Sequence, residues 1–263
     1  MTPIHPESPQ KISPLRIGID IGGTFTDFVV YNPVDGQINC FKMLSSPNNP
    51  AETVIKGLER IFPESELGNQ STQIIHGSTV ATNALLERKG AVTAFIATKG
   101  FGDILQIGRQ NRPELYNFSF TPPESLIPAD LRFEIDERVN AQGEVLIQPD
   151  LDRAQALIPV FKARQVEAVA ICFLFSFLHP AHEQNLAQLL RKAGFHVSGS
   201  SEILPEYREY ERASTTTVNA YVSPILDRYL QRLEESLPAV HSLRIMQSNG
   251  GNISTQEARS HGV

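Results

Sequence analysis

The segment LRIGIDIGGTFTDFVVY, residues 15–31, decides the fold class of this chain. Apolar side chains alternate with other residues from Leu15 to Ile21, and a period of two predicts a strand with one buried face. The pair Gly22–Gly23 then predicts a turn. Residues 24–31 resume the strand pattern, so two strands joined by a tight turn are expected at the start of the fold.

The sequence that follows completes an antiparallel meander. Asp35-Gly36 is a hairpin signal, and residues 38–44 predict a third strand. A helix is predicted from Pro50, which suits a first helical turn, to the residue before Pro63. Strands then alternate with helices up to a last strand that ends in a glycine pair. This order predicts an α/β fold with a mixed sheet.

Four later segments carry more detailed expectations. Residues 132–148 resemble a single hairpin, and residues 166–177 form an apolar run that predicts a buried strand. Residues 195–203 also predict a strand. Residues 206–237 predict a long helix with a kink or break at Pro224, because proline lacks the N–H that the helix needs.

Composition and charge limit the class of protein. The 263 residues are 41% hydrophobic and 20% charged, which is typical of a globular protein. With 23 basic and 29 acidic residues the formal net charge is -6, which argues against nucleic acid or an anionic membrane surface as partner. Cys40 and Cys172 lie in apolar runs and are expected to be free core residues rather than a disulfide.

The termini and apolar runs predict a cytoplasmic protein. The longest apolar stretch, residues 169–178, is too short to cross a bilayer. Residues 1–14 contain four prolines and lack the apolar core and cleavage site of a signal peptide. We expect them to form a disordered arm.

The sharpest chemical pattern lies in the first turn and has the composition of a phosphate-binding hairpin. Its members are Asp20, Gly22, Gly23, Thr24, Thr26 and Asp27. The glycines let backbone N–H groups approach phosphate oxygens, and the threonines can add hydroxyl donors. The aspartates would hold Mg²⁺ through water, since Mg²⁺ binds one or two carboxylates together with phosphates. An ordinary glycine hairpin with a capping aspartate is the alternative.

A second polar cluster lies where a strand leads into the helix predicted over residues 79–90. It contains His76, Ser78, Thr79, Thr82 and Asn83. Such junctions are common ligand sites in α/β folds. Ser78 or Thr79 can cap the helix, and His76 can act as a general acid or base. A capped helix start with surface polar residues is the alternative.

Other candidates have less specific patterns. Arg109 and Arg112 lie in a loop and could bind carboxylate or phosphate, or could be solvated charges. His179 and His182 flank Pro180, and a helix start explains them better than a zinc site.

Five motifs in order resemble the hydantoinase A/5-oxoprolinase family. They are IGIDIGGTFTD, HGSTVATNALLERKGA, TKGFGDILQIGRQNRPELY, EYERASTTTVNAYVSPIL and IMQSNGG. The resemblance runs from about residue 16 to residue 251, nearly the whole chain. It implies an N-terminal hydantoinase/oxoprolinase domain over residues 15–200 and a truncated start of the hydantoinase A domain over residues 201–263, after the arm.

The resemblance also implies a fold and a ligand. The family is similar to the actin-like ATPases, whose ribonuclease H-like lobes close over ATP. Asp20, Gly22, Gly23, Thr24, Thr26 and Asp27 would then contact the nucleotide phosphates and Mg²⁺. Ser78, Thr79, Thr82, Asn83, Arg109 and Arg112 would line the cleft. Asp20 and His76 are the candidate catalytic residues.

The activity that the resemblance implies is ATP-dependent hydrolysis of a cyclic amide, of the 5-oxoproline or hydantoin type, through phosphorylation of the amide oxygen. Family A-type subunits commonly work with a separate B-type subunit. A small-molecule kinase or a ketone carboxylase subunit of the same superfamily is an alternative.

A further expectation concerns length. The family's second phosphate loop and adenosine-binding segment lie downstream of the last motif, and this sequence ends at Val263, before either. The resemblance therefore implies a truncated chain. It would work with a separate second-lobe chain, or be a non-catalytic fragment that binds a partner. Whether the chain by itself is an enzyme stays open at this point.

Overall fold

A computed structural model describes residues 15–46, 49–62, 72–111, 116, 119, 124–237, 241–247 and 250–260. The predicted arm, residues 1–14, lies outside the described residues, as does Arg112. The contacts divide the chain into two compact units. The first combines the described residues up to Val80 with Arg228–Arg259, and the second contains Ala81–Asp227 and Ser260.

The described residues form strands and helices in alternation. The strands are β1 (Leu15–Ile21), β2 (Phe25–Tyr31), β3 (Ile38–Leu44), β4 (Thr72–Ser78), β5 (Thr93–Thr98), β6 (Arg132–Ile135), β7 (Arg138–Val139), β8 (Val145–Ile147), β9 (Ala168–Cys172), β10 (His196–Gly199), β11 (His241–Met246) and β12 (Asn252–Ser254). The helices are α1 (Pro50–Ile61), α2 (Val80–Leu86), α3 (Ile104–Ile107), α4 (Leu151–Ala163), α5 (Ala181–Lys192), α6 (Ser200–Ile203), α7 (Glu209–Ser236) and α8 (Thr255–Ser260). A 3₁₀ turn covers Ala129–Leu131.

The first unit is built on a six-stranded mixed sheet in the order β12-β11-β4-β1-β2-β3. β1, β2 and β3 pair antiparallel in sequence order, which confirms the predicted meander. β4 pairs parallel with β1, and β11 pairs parallel with β4. The sheet therefore unites the start of the chain with strands that follow residues 81–227 of the second unit.

The alternation in β1 gives this sheet a buried face and an exposed one. Ile17, Ile19 and Ile21 are each no more than 3% exposed, whereas Asp20 is exposed. Phe28 of β2 and Ile74 of β4 lie in the same apolar layer and are fully buried. The predicted apolar face of residues 15–21 is therefore confirmed.

Helix α1 covers part of the buried face. It begins at Pro50, as predicted, and its buried side includes Val54, Gly57 and Leu58. A side chain at Gly57 could not be accommodated, since a Cβ there would lie 2.0 Å from Cζ of Phe28. The phenyl ring therefore fits against the bare backbone of the helix.

The second unit contains a four-stranded parallel sheet in the order β10-β9-β5-β6. Every residue of β5 and β9 is buried, the pattern expected of central parallel strands covered on both faces. Phe161 of α4 and Leu186 of α5 are fully buried in the same core.

Two predicted strands and one predicted hairpin differ from the structure. The buried strand β9 ends at Cys172 rather than residue 177. The next residue bonds to side chains instead of a neighbouring strand, because Phe173 N–H donates to Glu183 and Arg212 donates to the carbonyl oxygen of Phe173. β10 ends at Gly199, where α6 begins. Residues 132–148 are not one hairpin, since β6 joins β5 and only β7 pairs with β8.

Two helices also differ from the prediction. α2 ends at Leu86, whereas the sequence pattern extended it to Gly90. A break at Pro224 is wrong, because α7 is continuous from Glu209 to Ser236. Ala220 and Val222 beside the proline are 1% exposed, so packing outweighs the missing hydrogen bond. No helix among the described residues is both long and apolar enough to cross a membrane.

We expect the substitution Gly57→Ala to lower the free energy of unfolding by about 1–3 kcal/mol, because the new methyl group overlaps the Phe28 ring. Urea denaturation measures this change. Glu59→Ala, at an exposed position of the same helix, is the control and should leave stability nearly unchanged. Equal stability of the two variants would contradict the packing of α1 on β2.

Candidate functional site

The candidate site lies in the first unit, where β1 and β2 meet at their shared turn. Asp20 and Asp27 are direct cross-strand partners. Directly opposite residues of an antiparallel pair share a sheet face, so both carboxylates project from the same exposed face. Two like charges at such a position repel each other unless a cation lies between them.

Among the described residues, one of the two aspartates forms an ion pair. Lys42 Nζ lies 3.3 Å from Asp27 Oδ1, and both side chains are more than half exposed. Asp20 has no such ion pair among those found in the described residues. The described residues contain no group of three or more His, Cys, Asp or Glu side chains that could hold a metal ion. The pair alone matches the requirement of Mg²⁺ for one or two carboxylates.

The turn beside the two aspartates is closed by a backbone hydrogen bond. Gly22 N–H donates to Phe25 O at 2.9 Å, so this N–H is already used inside the turn. Gly23 and Thr24 are exposed, and no heavy atom lies within 4 Å of the position that a Gly23 Cβ would take. Gly23 is therefore the residue of the pair that leaves room for a ligand.

Thr26 faces away from this space. It is fully buried, and its hydroxyl lies 3.0 Å from the hydroxyl of Ser45. Thr26 therefore lies on the buried face of the sheet, opposite to the face that carries Asp20 and Asp27. The alternation of side chains along β2 explains this orientation, since Thr26 lies two residues before Phe28 and therefore on the same face of the strand.

Ser45 is a residue that sequence reasoning missed. Its N–H donates to Thr24 O at 2.9 Å, and its hydroxyl donates to Gly22 O at 2.9 Å. Together with the contact to the Thr26 hydroxyl, Ser45 thus forms three hydrogen bonds that hold both sides of the turn. The signal available in the sequence was weak, because Ser45 simply follows the third strand.

Gly77 fixes the space around Asp20. The two residues are cross-strand partners, and a Cβ at Gly77 would lie 3.1 Å from Asp20 Oδ1. A side chain at this position would push the carboxylate away. Thr79 ties the two strand ends together, because its hydroxyl donates to Ile21 O at 2.9 Å.

His76 lies on the opposite face of the same sheet. It pairs with Ile19 in the β1–β4 register, one position out of phase with Asp20 and Gly77, and it is fully buried. Its Nδ1 is 3.3 Å from Ile19 O, and its Nε2 is 2.5 Å from the Tyr229 hydroxyl. A carbonyl can only accept, so Nδ1 carries the proton and Nε2 accepts from Tyr229.

The Tyr229 hydroxyl connects His76 to the end of β4. Ser78 hydrogen-bonds to Tyr229, and Val80 N–H donates to the Ser78 hydroxyl at 3.2 Å. Burial lowers the pKa of His76 to about 4 and raises that of Tyr229 well above its usual range. Both groups are therefore neutral at pH 7.

The remaining predicted residues belong to the second unit. Thr82 is exposed and Asn83 half-buried in α2. Arg109 is exposed, and its Nε donates to Glu211 at 2.8 Å, so it forms an ion pair within the same unit. Arg112 lies outside the described residues.

A buried polar network in the second unit was also missed. Glu137 accepts hydrogen bonds from Thr98 and, at 2.9 Å, from Nδ1 of His182. All three side chains are buried. His182 therefore hydrogen-bonds to a buried carboxylate. Helix α5 begins beside Pro180, as the sequence pattern favoured.

The fold is that of an actin-like ATPase lobe, in which a three-stranded meander is extended by parallel strands. The hydantoinase/oxoprolinase N-terminal region matches residues 16–194, and the hydantoinase/oxoprolinase profile matches residues 212–263. The chain belongs to the hydantoinase/oxoprolinase family.

Named relatives agree with this assignment. The chain is 37% identical over 250 residues to the caprolactamase subunit alpha of Pseudomonas jessenii, with 90% of this chain and 36% of that protein covered. It is 35% identical over 272 residues to 5-oxoprolinase 1 of Arabidopsis thaliana, with 90% of this chain and 21% of that protein covered.

A solved structure gives the same result. The crystal structure of the ATP-dependent caprolactamase from Pseudomonas jessenii matches with a TM-score of 0.78 and 34% identity, covering 91% of this chain and 36% of that one. The chain thus spans about a third of the length of the caprolactamase alpha subunit.

We expect His76 to make stability depend on pH. The unfolded chain protonates His76 near pH 6.5 and the folded chain only near pH 4, so the unfolded state binds more protons between these values. The free energy of unfolding should therefore decrease as the pH falls from 6.5, by up to about 1 kcal/mol per pH unit.

Urea denaturation at pH 7 and pH 5 measures this dependence. His76→Gln, which cannot titrate, should show a smaller decrease over the same interval than the unsubstituted chain. Equal decreases in the two proteins would refute a buried neutral His76.

Proposed function

We propose that this chain supplies the phosphate-binding part of an enzyme that hydrolyses cyclic amides at the expense of ATP. It would act as all or part of an A-type subunit together with a B-type subunit, and a separate chain could carry the second lobe. The observation that carries the proposal is the pair Asp20 and Asp27 on one exposed face beside an open glycine turn, in a member of this family.

The turn suits a phosphate because of its shape rather than its charge. Gly23 leaves open space at the backbone, and Thr24 is exposed beside it. Backbone N–H groups and a hydroxyl can then bind phosphate oxygens without a basic side chain. Ser45 keeps the turn in place whether or not a ligand is present, because its partners are backbone oxygens of the turn.

The two aspartates suit Mg²⁺ bound to the nucleotide. Asp20 and Asp27 would hold the ion through water, and Lys42 would keep Asp27 oriented. ATP, when bound, supplies a phosphoryl group to the amide oxygen and so activates the ring carbonyl for attack by water. His76, Tyr229 and Ser78 position the end of β4, and so place Gly77 of that strand beside Asp20.

Calorimetric titration of the purified chain with Mg-ATP tests the proposal. We expect Asp20→Asn to weaken binding by about tenfold or more, because a carboxylate that holds the metal is lost. Gly77→Ala should weaken binding less than Asp20→Asn does, since its methyl group would lie 3.1 Å from Asp20 Oδ1 and the exposed carboxylate keeps its charge.

Asp35→Asn is the matched control. Asp35 lies in the turn between β2 and β3, and its Oδ1 accepts from Gln37 N–H, a bond that asparagine can also form. This variant should bind Mg-ATP like the unsubstituted chain. Absence of binding by the unsubstituted chain, alone and with a B-type subunit, would refute the proposal and leave a partner-binding role.

A further inference from the structure

Arg212 is a buried charge near the carboxyl ends of the parallel strands in the second unit. Helix α7 carries its side chain into the interior, where it is fully buried. The guanidinium group contacts the residues that follow Cys172, the last residue of β9. Because bulk solvent does not reach it, this group depends on hydrogen-bond acceptors inside the protein.

Two of the three guanidinium nitrogens have such acceptors. Nη2 of Arg212 donates to Phe173 O at 2.8 Å, and Nη1 donates to the hydroxyl of Ser176. Cζ lies over the ring of Phe177, 5.3 Å from its centroid, so one face of the group is covered. The Nε N–H is buried as well, and within the described residues it has no acceptor.

A buried N–H without an acceptor is unfavourable, because it has lost its hydration and has gained no other partner. Native proteins contain few such groups, and an ordered water commonly supplies the missing bond. Nε of Arg212 therefore indicates an acceptor other than the described side chains and backbone.

A small cavity that borders Arg212 has the size of one water molecule. Its volume is about 10 Å³, measured as the space open to the centre of a water molecule. On this measure one water needs about 10–15 Å³. Phe101, Ile104 and Leu174 form apolar walls, and Glu209 lines the same cavity. The cavity is thus too small for an organic ligand and matches a single water.

Glu209 provides the second polar partner that such a water needs. It precedes Arg212 by three residues in α7, so the two side chains lie on the same side of the helix. Burial raises the pKa of Cys172, on the same cavity wall, to about 12, and the charge of Glu209 contributes to this shift. A carboxylate accepts from water, which leaves the water oxygen available to accept from Nε. Two polar partners are the minimum usual for a buried water.

We propose that this cavity binds one ordered water, which accepts a hydrogen bond from Nε of Arg212 and donates one to Glu209. The water joins the first turn of α7 to the guanidinium group that holds Phe173 and Ser176. A buried charge and a structural water therefore occupy an edge of the parallel sheet at which α/β proteins usually bind ligands. This inference goes beyond the proposed function, since it concerns the second unit and involves neither nucleotide nor substrate.

NMR of the full chain, deuterated except at its exchangeable protons, tests the proposal. The Nε–H signal of Arg212, assigned by its loss in Arg212→Lys, should exchange slowly with solvent. It should also show a nuclear Overhauser cross-peak to water, which its sign in the rotating frame distinguishes from proton exchange. A slowly exchanging Nε–H without this cross-peak would overturn the site.

A high-resolution crystal structure of the chain gives an independent measurement. The water oxygen should lie about 2.7–3.2 Å from Nε of Arg212, the range of N–H···O hydrogen bonds. An empty cavity, or density for a larger molecule in it, would contradict the proposal.

Filling the cavity should expel the water. Ile104→Phe places a larger side chain on the cavity wall and should remove the water cross-peak. Ile107→Phe, at an exposed position of the same helix α3, is the matched control and should retain it. A cross-peak that persists in Ile104→Phe would place the water elsewhere. If that variant does not fold, the cross-peak of the unsubstituted chain decides the question.

Substitutions at Glu209 test the second partner. Glu209→Gln should retain the water, because its amide oxygen still accepts. Glu209→Ala should lose it and raise the equilibrium constant of unfolding by about tenfold, the effect of one lost buried hydrogen bond. Glu206→Ala, at an exposed position before α7, is the control and should change neither quantity. Retention of the water in Glu209→Ala would refute the bridge to this carboxylate.

Discussion

The first unit depends on the strict alternation of β1. Ile17, Ile19 and Ile21 must face the core together, and this forces Asp20 to the other side of the sheet. A shift of register by one residue would bury the carboxylate and expose the isoleucines, which is unfavourable on both counts. The same apolar contacts that stabilise the fold therefore hold the candidate metal ligand in the solvent.

This constraint explains what the sequence could predict. The meander, the start of α1 and the two faces of β1 follow from local periodicity, which is visible in a single sequence. The phase of Thr26 follows from it too, although the composition of residues 20–27 alone predicts a phosphate-binding role for its hydroxyl. Strand pairing then placed its hydroxyl on Ser45 and not beside Asp27.

Long-range partners account for the rest. The apolar run of residues 166–177 has the pattern of one strand, but Glu183 and Arg212 bind the N–H and carbonyl groups of Phe173, and the strand ends before it. The hydrogen-bond partner of the buried His76 is likewise Tyr229, which belongs to a helix far along the chain. Nothing near residue 76 or 173 in the sequence announces these contacts, because tertiary structure alone brings the partners together.

The pairing of β11 with β4 has a consequence for biosynthesis. The ribosome produces β1 to β4 first, but the sheet edge at β4 stays without its parallel neighbour until residues 241–246 have emerged. Residues 81–227 of the second unit emerge before then and can collapse on their own contacts. The edge of β4 is unpaired during that interval, so we expect nascent chains of this protein to need protection by chaperones.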